Sequence, residues 1–246
     1  MKDQIIEQCN QLNLKGIAIH LDQTIESAKE KNWSLLKSLS HLFDLEVERR
    51  KQNRIMMRYK QSKLNEIITI DQFDFHHHKS RSKQKNTILN LMTPEFILEK
   101  KDVIFIGHPG TGKTFLAKCI GYQATQAGIK VLFTSTMDMI NHLIASEADH
   151  SLIKKLTYYQ SPDLLICDEI GYLPLGGQGS NLFFQVISGR HQHKSTMITT
   201  NLSFSDWGKL FENTTVATAI ADRLVDNSEI LILEGSSYRK KEKSEK

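Results

Sequence analysis

The chain has 246 residues, 39% of them hydrophobic and 24% charged, with a formal net charge of +4. Those proportions predict a soluble globular protein with one sizeable core and an appended module. They leave no run of about 18 apolar residues for a membrane span, and the N-terminal MKDQIIEQCNQLN is too polar for the centre of a signal peptide.

The expected location is therefore cytoplasmic. Three scattered cysteines, Cys9, Cys119 and Cys167, show no CxxC or metal-ligand spacing and fit a reducing compartment. In chain order, helical periodicity dominates first. Ile17, Ala18, Leu21, Ile25 and Ala28 recur at three- and four-residue spacing. Leu35, Leu36, Leu39 and Phe43 do the same after Ser34, which has the chemistry of an N-cap.

The second helical pattern runs on into RRKQNRIMMRYKQSKL, residues 49–64, with seven Lys or Arg and no acid. Four more basic residues lie between His76 and Pro94, again without an acid. One charge run is commonly a solvated helix face. Two acid-free stretches in one segment tilt the reading toward a polyanion. The expected phosphate contacts are Arg49, Arg50, Lys51, Arg54, Arg58 and Lys60.

ITIDQFDFHHHKSRSKQKN then loses periodicity and predicts a linker, with a short helix in TPEFILEKK that Pro94 begins. The triple histidine, His76–His78, has no Cys or carboxylate at ligand spacing and reads as solvated. The expected organisation is a helical DNA- or partner-binding module over 1–72, a linker over 73–100 and a catalytic domain over 101–246.

After residue 100, short apolar runs alternate with helical patterns: VIFI (103–106), VLFT (131–134), LLIC (164–167), MITT (197–200) and ILIL (230–233). Their nearly continuous apolar character predicts strands buried on both faces, and the helices between them are the crossovers that parallel strands need. The fold class is α/β, with helices on both faces of a parallel sheet.

Gly107-His108-Pro109-Gly110-Thr111-Gly112-Lys113-Thr114 fits GxxxxGK[ST] at every fixed position, between a predicted strand and a predicted helix that opens with Phe115. Glycines let successive N–H groups face a phosphate, and the helix N-terminus adds its dipole. Lys113 is expected at the β- and γ-phosphates of ATP, and the Thr114 hydroxyl on Mg²⁺. In LLICDEIGY, Asp168 ends a buried strand and can hold the magnesium shell, while Glu169 can deprotonate water. Asn201, after MITT, stands where its amide can reach the γ-phosphate or that water.

With GHPGTGKT, CDEIGYLPLGGQGSNLFFQVISGRH, STMITTNLSFSDW, IADRL and SYR in place, the chain resembles the IstB helper ATPases of insertion sequences, within the AAA+ superfamily. The resemblance covers nearly the whole chain and implies a five-stranded sheet of order 5-1-4-3-2. It also implies that Arg223 is an arginine finger presented to a neighbouring subunit and that Arg239 is a second sensor. Arg190 is the rival for the finger. Only 13 residues follow the last predicted strand, so no helical lid is expected, and the adenine should be covered by the linker or by the next subunit. The resemblance further implies a homo-oligomer that acts with a transposase. A DnaC-like helicase loader shares every ATP residue and remains the alternative. A small-molecule kinase, the third possibility, is disfavoured by Glu169, the missing lid and the basic segment.

Overall fold

A computed structural model describes residues 1–211 and 213–238 and divides them into two compact units, 1–57 and 58–246. The first unit holds α1 (Lys2–Gln11), α2 (Lys15–Glu30) and most of α3 (Leu35–Gln61). Ser34 caps α3 as its chemistry predicts, accepting the Lys37 N–H at 3.3 Å.

The core of this unit is small: Cys9, Ile17, Leu21 and Leu42, with Ile6, Leu14 and Ala18 against them. The predicted apolar face of α3 is largely exposed, with Leu35, Leu36, Leu39 and Phe43 between 42% and 79% accessible. What α3 buries is Leu42 and one charge, Glu46. The Glu46 carboxylate accepts the N–H groups of Gly16 and Ile17 in the first turn of α2, and Arg50 donates to it from one turn on at 2.7 Å. Burial works against its charge, but these donors hold its pKa below the usual carboxylate range. Gly16 is required here because an added Cβ would lie 2.9 Å from the Glu46 Cα.

The second unit begins at Arg58, near the end of α3, and takes in residues 73–100, expected as a linker but largely packed into the core. Those residues contain α4 (Lys79–Lys83), α5 (Lys85–Asn90) and α6 (Glu95–Leu98), the last being the short helix expected to begin at Pro94. Phe73, Ile88, Leu91, Phe96 and Ile97 are buried in the main core. The unit boundary after Met57, rather than at 72, follows from this: residues 58–100 pack with the sheet they precede.

The sheet comprises β1 (Asp102–Gly107), β2 (Val131–Ser135), β3 (Leu164–Ile170), β4 (Ser195–Thr200) and β5 (Ser228–Leu233), in the order β2-β3-β4-β1-β5 and parallel throughout. This is the order that the resemblance implied. Between the strands lie α7 (Lys113–Gln126), α8 (Thr136–Ala148), α9 (Leu152–Gln160), α10 (Gly176–Arg190), α11 (Trp207–Leu210) and α12 (Thr214–Val225).

Alternation along β1 sorts the core into two layers. Val103 and Phe105 join α5–α7 on one face, and Ile104 joins α8, α10 and α12 on the other. β5 departs from the expectation of burial on both faces. It is an edge strand whose Leu231 and Leu233 are buried, whereas Ile230 and Ile232 are 38% and 52% accessible. Among the described residues, no helix is long and apolar enough to cross a membrane.

Candidate nucleotide site

The turn from β1 into α7 carries the phosphate-loop residues. Its fold is set by internal hydrogen bonds: the Thr111 hydroxyl donates to the His108 carbonyl at 2.9 Å, and the Lys113 ammonium donates to the Gly107 and His108 carbonyls at 2.6 and 3.0 Å. Gly110 has φ +83°, a left-handed conformation that favours glycine. A Cβ there would also strike Ser237.

This turn opens onto a cavity of about 980 Å³ lined by Pro109, Gly110, Gly112, Lys113, Thr114 and Phe115, and also by Glu169 and Asn201 from β3 and the end of β4. Eight residues singled out in the sequence thus share one cavity. Gly107, His108 and Thr111 do not line it but hold the turn's shape through the hydrogen bonds above. Asp168, 6% exposed, stands beneath Thr114, whose hydroxyl donates to its Oδ1 at 3.0 Å. A hard-oxygen pair of this kind, a hydroxyl and a carboxylate beside phosphate-binding amides, suits Mg²⁺.

Other expected residues lie elsewhere. Arg223 does not line the cavity. It donates to the Ala219 carbonyl at 2.8 Å, and its guanidinium sits 4.7 Å from the centre of the Phe184 ring. Arg239 lies outside the described residues.

Arg190, the rival finger, is fully buried. Its NH1 donates to the carbonyls of Tyr159, Gln160 and Pro162 at 3.2, 3.0 and 2.9 Å, its Nε donates to Thr196 Oγ1 at 3.1 Å and its NH2 donates to Ser195 O. Burial lowers its pKa to about 10. A guanidinium spent on five internal acceptors cannot reach a phosphate on another chain, so Arg190 is removed as a finger.

The six basic residues expected on DNA all lie on α3 but differ in their surroundings. Lys51, Arg54 and Lys60 are exposed. Arg50 pairs with Glu46, Arg49 is half-buried, and Arg58 donates through Nε to the Gly128 carbonyl at 3.2 Å.

The sequence offered the linker as one possible cover for the adenine but named no residue of the wall it forms. Ile67, Ile68, Gln72, Phe73, Arg81 and Tyr238 line the cavity there. The Arg81 guanidinium lies 4.6 Å from the Phe73 ring centre and 5.5 Å from that of Tyr238, and it donates to the Thr111 carbonyl at 2.9 Å. The Tyr238 N–H donates to the Gly110 carbonyl at 3.0 Å.

Two of the three histidines, expected to be solvated, fasten this wall. His78 caps α4 and packs on Gly235, and His77 Nε2 is 3.2 Å from the Ser236 carbonyl. The Ser80 hydroxyl donates to the Glu234 carbonyl at 3.2 Å and accepts its N–H at 3.1 Å. The signal in the sequence was the aromatic spacing of DFDF, without the periodicity that marks an element.

Comparison with known proteins agrees with this geometry. The family model described as IstB-like ATP binding protein matches residues 7–246. A protein of Geobacillus stearothermophilus, named for insertion sequence IS5376 and ATP binding, is 37% identical over 243 residues, 99% of this chain and 96% of the relative. A Pseudomonas aeruginosa protein named for insertion sequence IS21 and ATP binding is 33% identical over 234 residues, 95% of this chain and 88% of the relative. Among solved structures, the DnaC helicase loader superposes with a TM-score of 0.55 at 24% identity, over 72% of this chain and 98% of that one. AMPPCP-bound DnaA from Aquifex aeolicus gives 0.58 at 19% identity, over 74% of this chain and 55% of that one. These two likenesses show a shared fold. With a phosphate loop, Glu169 and a strand-end asparagine around one cavity, Asp168 bonded to Thr114 beneath it, and that family model matching nearly end to end, the chain belongs to the IstB-like ATP-binding proteins.

Proposed function

We propose that the chain is an ATP-hydrolysing, DNA-binding helper of transposition that assembles with copies of itself on duplex DNA and brings a transposase to it. The observation that carries this reading is the meeting of Lys113, Thr114, Glu169 and Asn201 at one cavity, with Asp168 directly beneath. Lys113 would exchange its bonds to the loop carbonyls for the β- and γ-phosphates. Thr114 and Asp168 would hold a magnesium ion, which neutralises charge between those phosphates when bound. Glu169 would take the proton of the attacking water, and Asn201 would orient that water.

Arg223 would act on the nucleotide of a neighbouring copy. Its place outside the lining of its own cavity supports that reading, as does the resemblance of IADRL to the finger motif. Assembly and hydrolysis would then be one event, because the site lacks its finger until a neighbour docks. Lys51, Arg54 and Lys60 would lie along DNA phosphates and give affinity with little base reading. The insertion-sequence relatives favour a transposase over a replicative helicase as partner.

The test is duplex binding with ATP across a salt series. Glu169→Gln should bind ATP and remain on DNA as a trapped oligomer, with turnover reduced by about 10² to 10⁴. Lys113→Ala should prevent ATP-dependent assembly. A wild-type chain that binds duplex equally well without ATP and at high salt would defeat the proposal.

A further inference from the structure

We propose that Thr199, on β4, is the positioning residue that aims the Glu169 carboxylate, so that the two acids of the Asp-Glu pair act on the same bound nucleotide. The inference deepens the ATPase reading and rests on it.

Consecutive side chains of a regular strand point to opposite faces, so Asp168 and Glu169 on an undistorted β3 would diverge. The strand is distorted at that point. Its pairing with β4 runs to Cys167 opposite Ile198 and resumes with Ile170 opposite Thr200. Two residues, Asp168 and Glu169, therefore face the single residue Thr199. This is a β-bulge, a device that redirects a side chain and leaves one backbone group without its ladder partner.

Glu169 carries the distortion. Its φ is +59°, a left-handed conformation that a residue with a Cβ keeps only where its surroundings hold it. The Thr199 hydroxyl supplies the hold. Buried at 1% exposure, it accepts the Glu169 N–H at 2.9 Å and donates its own proton to Asp168 Oδ1. That oxygen also accepts the Thr114 hydroxyl at 3.0 Å. One lone pair and one proton of a single hydroxyl thus fasten both acids, and the backbone N–H displaced by the bulge is satisfied. Thr199 does not line the cavity, whereas Glu169 does, so Thr199 can act only through its neighbours.

Valine has nearly the shape of threonine but can neither accept that N–H nor donate to Asp168. The experiment measures ATP affinity and steady-state turnover, with duplex DNA present, for the full chain and for Thr199→Val, Thr199→Ser, Glu169→Gln and the Thr199→Val/Glu169→Gln double variant. Thr199→Val should lose about a hundredfold in turnover while its ATP affinity stays within about threefold of the wild type. Thr199→Ser keeps the hydroxyl and should restore turnover to within about threefold of the wild type. The double variant should be no slower than Glu169→Gln alone, because the hydroxyl acts through a carboxylate that is already gone.

Wild-type turnover by Thr199→Val would overturn the assignment, and so would a Thr199→Val loss that simply adds to that of Glu169→Gln. If Thr199→Val does not fold, Thr199→Ala removes the same hydroxyl without the exchanged methyl and carries the same expectation. Collapse of both would make Thr199 a structural residue only. A wild-type chain that binds ATP without hydrolysing it would instead bring down the ATPase reading itself.

Discussion

At the carboxyl ends of β3 and β4, Glu169 lines a cavity with Asp168 and Thr199 buried directly behind it; at the amino ends of β1 and β4, Asp102 and Thr196 lie buried beside Arg190. Both clusters join carboxylates and hydroxyls in one parallel sheet, yet only the first opens onto solvent. In the second, Asp102 Oδ1 accepts the Thr196 N–H at 2.6 Å, and Arg190 ties β4 to the end of α9. Burial lifts the Asp102 pKa to about 7, against the pull of the Thr196 N–H and Arg190. The difference teaches how to read polar residues in a buried sheet. Groups whose hydrogen bonds close on themselves hold the fold, and groups that share a cavity wall with the phosphate loop are available for chemistry.

The comparison can be broken most severely at Arg223. Under the finger reading, Arg223→Ala should lower DNA-stimulated turnover by about 10³ or more, with ATP affinity of the dilute chain unchanged. Steady-state turnover at rising protein concentration is the measurement, and normal rates would move the finger to another residue, Arg190 now excluded.

Arg190→Met should do the reverse. It strips four carbonyls and Thr196 of their buried donor, so chemical denaturation should show a loss of about 3 kcal/mol or more, while protein that remains folded binds ATP as before. A stable variant with impaired turnover would mean that the two ends are not separate in purpose.

Asp102 sharpens the contrast through pH. Its folded-state pKa stands above the ordinary carboxylate value of 3.8, so the fold favours the neutral acid. That contribution is fully present below about pH 4 and is lost as pH rises through about 7. Asp102→Asn cannot titrate. Its stability relative to the wild type should therefore improve between about pH 4 and 7 by roughly 3–4 kcal/mol and then level off, as read by denaturant midpoints. A gap independent of pH would show that Asp102 is ionised throughout.

Much of the fold was legible because buried parallel strands are written as unbroken apolar runs, and VIFI, VLFT, LLIC, MITT and ILIL each fall within one strand. The phosphate loop, the Asp-Glu pair and Asn201 were legible because their spacing from those runs fixes which strand ends they occupy. Strand order was not legible from spacing and came from the resemblance. Pro94 announced α6, but α4 and α5 span only five and six residues, too few for a periodic signal, so their stretch looked like a linker although Ile88 is completely buried. Arg190 and Arg223 looked alike because a one-dimensional pattern does not reveal which guanidinium faces five acceptors inside the protein. The Thr199 contact was hidden for a similar reason: a bulge is a property of two paired strands, and neither strand alone records it.

The position of β1 has a consequence for synthesis. It is hydrogen-bonded on one side to β4 and on the other to β5, and both emerge from the ribosome long after Gly107. A nascent chain halted before Ser195 carries the whole phosphate-gripping motif on a strand with neither of its ladder neighbours. The non-local pairing makes closure of the sheet a late event, so translation must pass β5 before the mature grip on nucleotide exists. Partial products would thus present the loop without the paired strands that hold it in place.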